Sequence, residues 1–382
     1  MKSNYAKIIS CYAADTAGVC SALFELGGMT IVHDASGCNS TYATHDEPRW
    51  FKSESMVYIS ALTEMDMVCG NDEKLVGDVL RTASELQPYF IALCNSPIPL
   101  MVGTDMQAVA GVIAKQSNIP CFAVPTSGMD HYWQGAGKAW KALAERFLPE
   151  EKRQIIPRSV NILGATPLDF SLNGNVESMV DFLVKNDFIP LATWAMNNTL
   201  EDLQKSVNAE VNLVVSQSGL FLAEYMLKKY GIPFVCGVPI GINGAEMLKN
   251  ALIQKNTTYL FPGRAEQINA CCVIIGEAVF SGSLAYTLNM ELGINCRVID
   301  PLSGDKRVLN GSDLQIAAEK DIAAEFAKAE LIICDNMYLP IVPAGKKYIA
   351  LPHEAFSGRC YHKNRLNLID KKIDWNSLIC RK

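Results

Sequence analysis

Three cysteines stand where strand-like runs meet turns. Cys11 follows Ala6-Lys7-Ile8-Ile9-Ser10. Cys38 closes His33-Asp34-Ala35-Ser36-Gly37, just after the apolar run Met29–Val32. Cys94 ends Tyr89-Phe90-Ile91-Ala92-Leu93 and precedes Asn95-Ser96-Pro97. Thiolates from distant parts of a chain, gathered at one edge of an α/β sheet, form a soft donor set that selects iron–sulfur clusters or zinc. Three thiolates leave one iron of a four-iron cluster without a protein ligand; the missing donor comes from this chain, a partner or solvent. A buried cysteine is by default a small hydrophobe. Cys121, Cys236, Cys271, Cys272, Cys296 and Cys334 lie in strand-like runs and read as core, and Cys20 as helix packing. Cys360 and Cys380 have no paired spacing. The chain has no Cys-x-x-Cys, His-Glu-x-x-His or Gly-x-x-x-x-Gly-Lys-Ser/Thr pattern, which argues against zinc-finger and Walker-type sites. Gly237-Val238-Pro239-Ile240-Gly241-Ile242-Asn243-Gly244 lacks the dinucleotide spacing and reads as a tight turn at a strand end.

The elements that must position these residues follow one rhythm. Strand-like runs are Met29–Val32, Tyr89–Leu93, Cys121–Val124, Ser159–Leu163, Ile189–Thr193, Leu213–Val215, Phe234–Val238, Cys272–Gly276, Cys296–Asp300 and Leu331–Cys334. Amphipathic helical stretches separate them, and Thr63-Glu64 suits a helix start. Apolar strands alternating with helices predict parallel sheets covered on both faces. The rhythm falls into three blocks: 1–150, 151–262 and 263–382, the last carrying a basic segment from Lys363. The 382 residues are 49% hydrophobic and 19% charged, a globular composition with a large core. A net charge of −6 disfavours nucleic acid and anionic membrane as partners. Thirteen cysteines scattered through apolar runs suit a reducing, cytoplasmic compartment. No run approaches a membrane span, and the start of the chain opens into a strand-like run without a signal peptide.

Several motifs together resemble one family. Cys11, Gly18-Val19-Cys20-Ser21-Ala22-Leu23 and Met29-Thr30-Ile31-Val32-His33-Asp34-Ala35-Ser36-Gly37-Cys38 are similar to the start of nitrogenase component 1 subunits. So are Ala61-Leu62-Thr63-Glu64-Met65-Asp66 and Leu93-Cys94-Asn95-Ser96-Pro97, with later echoes at Lys229-Tyr230-Gly231-Ile232-Pro233 and Leu351-Pro352-His353-Glu354-Ala355-Phe356-Ser357-Gly358. This family of nitrogenase-like oxidoreductases includes subunits of protochlorophyllide reductase and of the nickel-tetrapyrrole reductive cyclase. The resemblance implies three doubly wound, Rossmann-like α/β domains with mainly parallel sheets. It implies an iron–sulfur cluster, 4Fe–4S or a larger one shared with a partner, held by Cys11, Cys38 and Cys94 at a subunit interface in the first domain. Ser127, Asp130 and His131 fall where some members place an extra ligand. The implied partners are a P-loop iron–sulfur ATPase reductase and a second component-1-like subunit, identical or not.

Two departures bear on function. The position matching the family's cofactor-anchoring cysteine is Ser216, a poor ligand for a soft metal cluster. The family's cofactor histidine falls near His353, which also reads as a structural histidine after proline. The chain is also shorter than nitrogenase subunits. The expected function is a reductase subunit acting on a substrate other than dinitrogen, with an assembly scaffold or a metal-chelate binding module as alternatives. Open α/β sheets bind ligands beyond the carboxyl ends of their strands. Thr166, Asp169, Trp194, Ser216, Gln217, Glu277 and Asp335 sit in such turns, and His353 and Arg359 come from the C-terminal segment; no catalytic acid is assignable.

Overall fold

The computed structural model describes residues 5–9, 12–37, 47–150, 154–266 and 270–381. The strands are β1 Met29–His33, β2 Met56–Ile59, β3 Ile91–Asn95, β4 Cys121–Val124, β5 Ser159–Leu163, β6 Ile189–Thr193 and β7 Val211–Val214. They continue with β8 Phe234–Cys236, β9 Cys272–Ile275, β10 Cys296–Asp300, β11 Leu314–Gln315, β12 Leu331–Cys334, β13 Lys347–Ala350 and β14 Cys380–Arg381. They form three sheets of order β2-β1-β3-β4, β6-β5-β7-β8 and β11-β10-β9-β12-β13-β14. All pairings are parallel except β13–β14. Helices connect the strands, so the architecture is α/β with doubly wound sheets.

Each order reverses direction once, between β1 and β3, between β5 and β7, and between β9 and β12. Connections leave a strand pair in opposite directions at such a switch point, and a crevice opens beyond the strand ends. The three switch points carry Cys94, Ser216 and the Glu277–Asp335 pair, respectively.

Packing explains the strand positions. In β3, Ala92 and Cys94 face the core shared with Ala17, Cys20 and Ala136, whereas Ile91 and Leu93 face Val79, Val109 and Ile113. Side chains alternate along a strand, so one strand serves both layers. β3 begins two residues later than its apolar run suggests and continues to Asn95, placing Cys94 inside the strand opposite Val32 of β1 and Val124 of β4. The glycine-rich segment after β8 also differs from a simple turn: Gly241, at φ 63°, opens the helix Gly241–Gln254.

The Asp15–Leu23 and Tyr132–Phe147 helices cross backbone to backbone. A Cβ on Gly135 would lie 1.8 Å from the Asp15 carbonyl oxygen, and one on Gly18 1.9 Å from that of Tyr132. The contact requires glycine at both positions, because backbone cannot yield as a flexible side chain does. Gly135→Ala is expected to destabilise the fold by about 2 kcal/mol or more through overpacking, read as a lower midpoint in urea. An unchanged midpoint would show that the two helices do not meet this closely.

Candidate functional sites

The first site is the carboxyl edge of the first sheet. Three strand ends are tied together there: Ser96 Oγ donates to the His33 carbonyl at 2.9 Å and Thr126 Oγ1 to the Asn95 carbonyl at 2.7 Å. The turns after β1, β3 and β4 therefore leave from one place. Cys94 is fully buried near Cys20 and Asp15. Burial pushes its thiol well above the ordinary range, and those two neighbours push the same way. Its side chain lies on the sheet face covered by the Asp15–Leu23 helix, the face that receives the preceding segment Tyr12–Ala14. Ala13 accepts from Tyr132 N at 3.0 Å and donates to the Ala355 carbonyl at 2.8 Å. Cys11 and Cys38 lie outside the described residues. Among the described residues no three His, Cys, Asp or Glu side chains are grouped to hold a metal ion.

The 125–131 turn is held by Asp15. Its carboxylate accepts from Ser127 N and Gly128 N, each at 2.8 Å, and its own N–H donates to the Asp130 carbonyl at 2.9 Å. Burial raises the Asp15 carboxyl, against these two backbone donors. Ser127 Oγ accepts from Met129 N, Asp130 lies 3.6 Å from Lys138, and His131 packs edge-on to Tyr12. Burial lowers the His131 imidazole. Thr63 caps the helix Glu64–Cys69 through a reciprocal box with Asp66. Glu47 and Arg49 form a buried tether. Arg49 donates to Glu47 at 2.7 Å, to Glu25 at 2.9 Å, to the Ser21 carbonyl at 2.7 Å and to the Ala195 carbonyl at 3.0 Å.

The second site is the centre, where the other two switch points meet. Asp169 Oδ1 accepts from Tyr132 Oη at 2.5 Å and lies 3.6 Å from His353 Nε2. Its Oδ2 accepts from Thr166 Oγ1 at 2.7 Å and from Ser218 Oγ at 3.3 Å. Glu277 caps the Ala278–Leu292 helix and also accepts from Gln217 N at 2.9 Å, which joins the second and third sheets. Asp335 accepts from Met337 N, His353 N and Ser357 Oγ. Burial lowers the His353 imidazole and raises the Asp335 carboxyl. Thr166, Asp169, Glu277, Asp335 and His353 thus converge. Ser216 is turned away, its hydroxyl donating to the Gly164 carbonyl at 2.7 Å. Trp194 lies fully buried in the core, with its Nε1 meeting no acceptor. Arg359 stacks over Phe51. The cavity lined by Glu277, Asp335, His353 and Arg365 measures about 20 Å³, room for about one water.

Sequence reasoning missed Tyr132, Ser218, Glu354 and Arg365. Tyr132 begins the buried stripe of its helix and so reads as packing, which hides the role of its hydroxyl. Arg365 sits in the basic segment from Lys363, which carries no periodic signal, and its Nη1 is buried and unpaired, as is Glu354 Oε2.

The family model for nitrogenase component 1 type oxidoreductases matches residues 15–255, well over half of the chain. The chain belongs to this family. It is 24% identical over 244 residues to the nitrogenase iron-molybdenum cofactor biosynthesis protein NifE of Clostridium pasteurianum, covering 62% of this chain and 52% of that protein. It is 28% identical over 192 residues to the nitrogenase molybdenum-iron protein alpha chain of the same organism, covering 49% of this chain and 35% of that one. The chain thus spans about half or less of the length of these relatives. The solved structure of nitrogenase Cp1 at pH 5 superposes with a TM-score of 0.62 at 19% identity, over 86% of this chain and 80% of that chain. The chain shares the fold of that structure. No helix among the described residues is long and apolar enough to cross a membrane.

The centre generates a pH dependence. Burial, and then the neighbouring Asp169, push Glu277 up to about 8, against three backbone donors. An acid raised in the folded state holds a proton that the unfolded chain releases above its ordinary range. Its contribution is complete below that range and is lost as pH rises through about 8. Urea midpoints are therefore expected to fall between pH 5.5 and 8.5, and to fall less in Glu277→Gln. Parallel profiles for the two proteins would count against a protonated Glu277.

Proposed function

We propose that this chain is the subunit of a nitrogenase-like oxidoreductase that carries an iron–sulfur cluster on Cys11, Cys38 and Cys94 and receives electrons from a P-loop iron–sulfur ATPase reductase. The observation that carries this reading is Cys94. It stands at the switch point of the first sheet, buried, on the face toward the segment that follows Cys11, and the turn leading to Cys38 leaves the adjacent strand. The chemistry of the donor fits: a buried thiol is a soft ligand that loses its proton on metal binding. When bound, the cluster supplies one-electron transfer, with its potential set by the hydrogen bonds and burial around its sulfurs. The chain's own part is to hold the thiols in register, through Asp15 and the tied strand ends, and to exclude water. Ser127, Asp130 and His131 are the candidates for an additional ligand.

The cluster and a subunit interface belong to a first domain, residues 1–150, with further Rossmann-like domains at 151–262 and 263–382. Exposed apolar residues in the turns and short helices after β2 and β3, among them Met65, Val68, Met101 and Val102, support a second component-1-like subunit seated there.

The similarity to a cofactor biosynthesis protein favours a second reading, an assembly scaffold that passes a metal cluster on without turnover. An iron–molybdenum-type cofactor does not fit the centre of this chain. Ser216 is committed to Gly164, His353 faces Asp169, and the remaining space is about 20 Å³. Dinitrogen is accordingly not the substrate in our reading.

Anaerobic reconstitution with iron and sulfide is expected to yield a brown protein. Cys94→Ala should abolish bound iron and the reduced-state paramagnetic signal, whereas Cys236→Ala, in the core of the second sheet, should retain both. Equal iron content in the two variants would remove the ligand assignment. Turnover with reductase and ATP would separate the enzyme from the scaffold.

A further inference from the structure

Of the spaces in this molecule, the centre is closed by its own side chains, whereas the cluster-bearing edge is not. A cleft of about 390 Å³ opens beside that edge, between β4, the 125–130 turn and the helix Met106–Ser117. This is the size of a small-molecule site. Its walls include Leu100, Met106 and Val124, and its polar groups include Asn95, Ser127 and Asp130. Asn95 directly follows Cys94 and, by strand alternation, projects from the opposite face of the sheet. It is only 9% exposed, and its Oδ1 is buried without a hydrogen-bond donor. An orphaned buried acceptor is costly, and a ligand donating to it would remove that cost.

The other polar groups define the ligand's chemistry. Thr126 Oγ1 is committed to the Asn95 carbonyl, and Ser127 Oγ accepts from Met129 N. The Asp130 carboxylate is about half exposed; its 3.6 Å contact is to Lys138, which does not line the cleft. Among the described residues no cationic side chain lines it. Asn95 Oδ1 and the Asp130 carboxylate are acceptors set among apolar walls, while the exposed Gln107 carboxamide at the cleft both donates and accepts. We propose that the substrate binds in this cleft, not at the three-sheet centre, and that it is a small molecule with an apolar body and a protonated or N–H-bearing end directed at Asn95 and Asp130. This rests on the reading that the neighbouring edge carries the cluster, since the cleft then places the substrate within a few residues of the electron donor.

The test uses the full chain with 13C-methyl-labelled methionine, in which Met106 reports on the cleft. n-Butylammonium is expected to shift the Met106 methyl resonance saturably, and butyrate to leave it in place. Asn95→Leu should weaken the n-butylammonium titration about tenfold, as expected for one hydrogen bond to a charged group. Asp130→Asn, at a half-exposed position that folding tolerates, should weaken it severalfold. The proposal is overturned if Met106 does not respond, if butyrate titrates equally, or if Asn95→Leu and Asp130→Asn both bind like the parent. It is also overturned if His353→Ala abolishes the titration and Asn95→Leu does not. Iron content of the same samples separates the two readings: iron held without titration sinks the cleft alone, and titration without iron sinks the cluster alone.

Discussion

The backbone contact between the Asp15–Leu23 and Tyr132–Phe147 helices is the constraint on which both sites depend. Glycine at 18 and 135 lets the two axes approach until carbonyl oxygens fill the place of side chains. At the start of this crossing, Asp15 takes the amides of Ser127 and Gly128, and Tyr132 N–H meets the Ala13 carbonyl. The segment after Cys11 and the turn beyond β4 are thereby held together at Asp15, which lies near Cys94. The same helix sends the Tyr132 hydroxyl to Asp169 and so fixes one corner of the centre. One close approach orients the thiol edge on one side and the polar junction on the other.

The two sites use polarity in different ways. In the centre, Asp169, Glu277 and Asp335 accept from hydroxyls and from turn N–H groups, while Arg365 Nη1, Gln217 Nε2 and Glu354 Oε2 stay buried without partners. Low dielectric strengthens each of these bonds and makes each unpaired atom costly. At the first sheet's edge the hydrogen bonds run through backbone carbonyls and the turn, leaving the Asn95 carboxamide oxygen without a donor and the half-exposed Asp130 carboxylate paired only with Lys138.

Much of this was legible in the sequence because buried parallel strands are short, apolar and bounded by turn residues. Ser159–Leu163, Ile189–Thr193, Cys296–Asp300 and Leu331–Cys334 coincide with their apolar runs. Met56–Ile59 is a half-covered edge strand, yet Met56-Val57-Tyr58-Ile59 is itself a continuous apolar run that marks it as a strand. Lys347–Ala350 is likewise only partly buried, and the pairs Leu314–Gln315 and Cys380–Arg381 are too short to show a period. The helix Gly241–Gln254 was hidden by the glycines at its start. At the sites, the strand-end carboxylates Glu277 and Asp335 could be found from their position after apolar runs. Tyr132 and Arg365 could not, since what matters in each is a single atom reaching across sheets, and no local pattern encodes that reach. Asn95 was visible as a neighbour of Cys94, but its unmet oxygen is a property of packing alone.

Asp169 has a mechanical consequence. One carboxylate receives hydroxyls from the first helical layer and from the second sheet, while an imidazole of the C-terminal segment lies beside it. Hinging any one lobe against the others would strand an anionic oxygen in a medium that cannot solvate it. The parts of the chain that meet at this carboxylate are held by hydrogen bonds that any relative movement has to break.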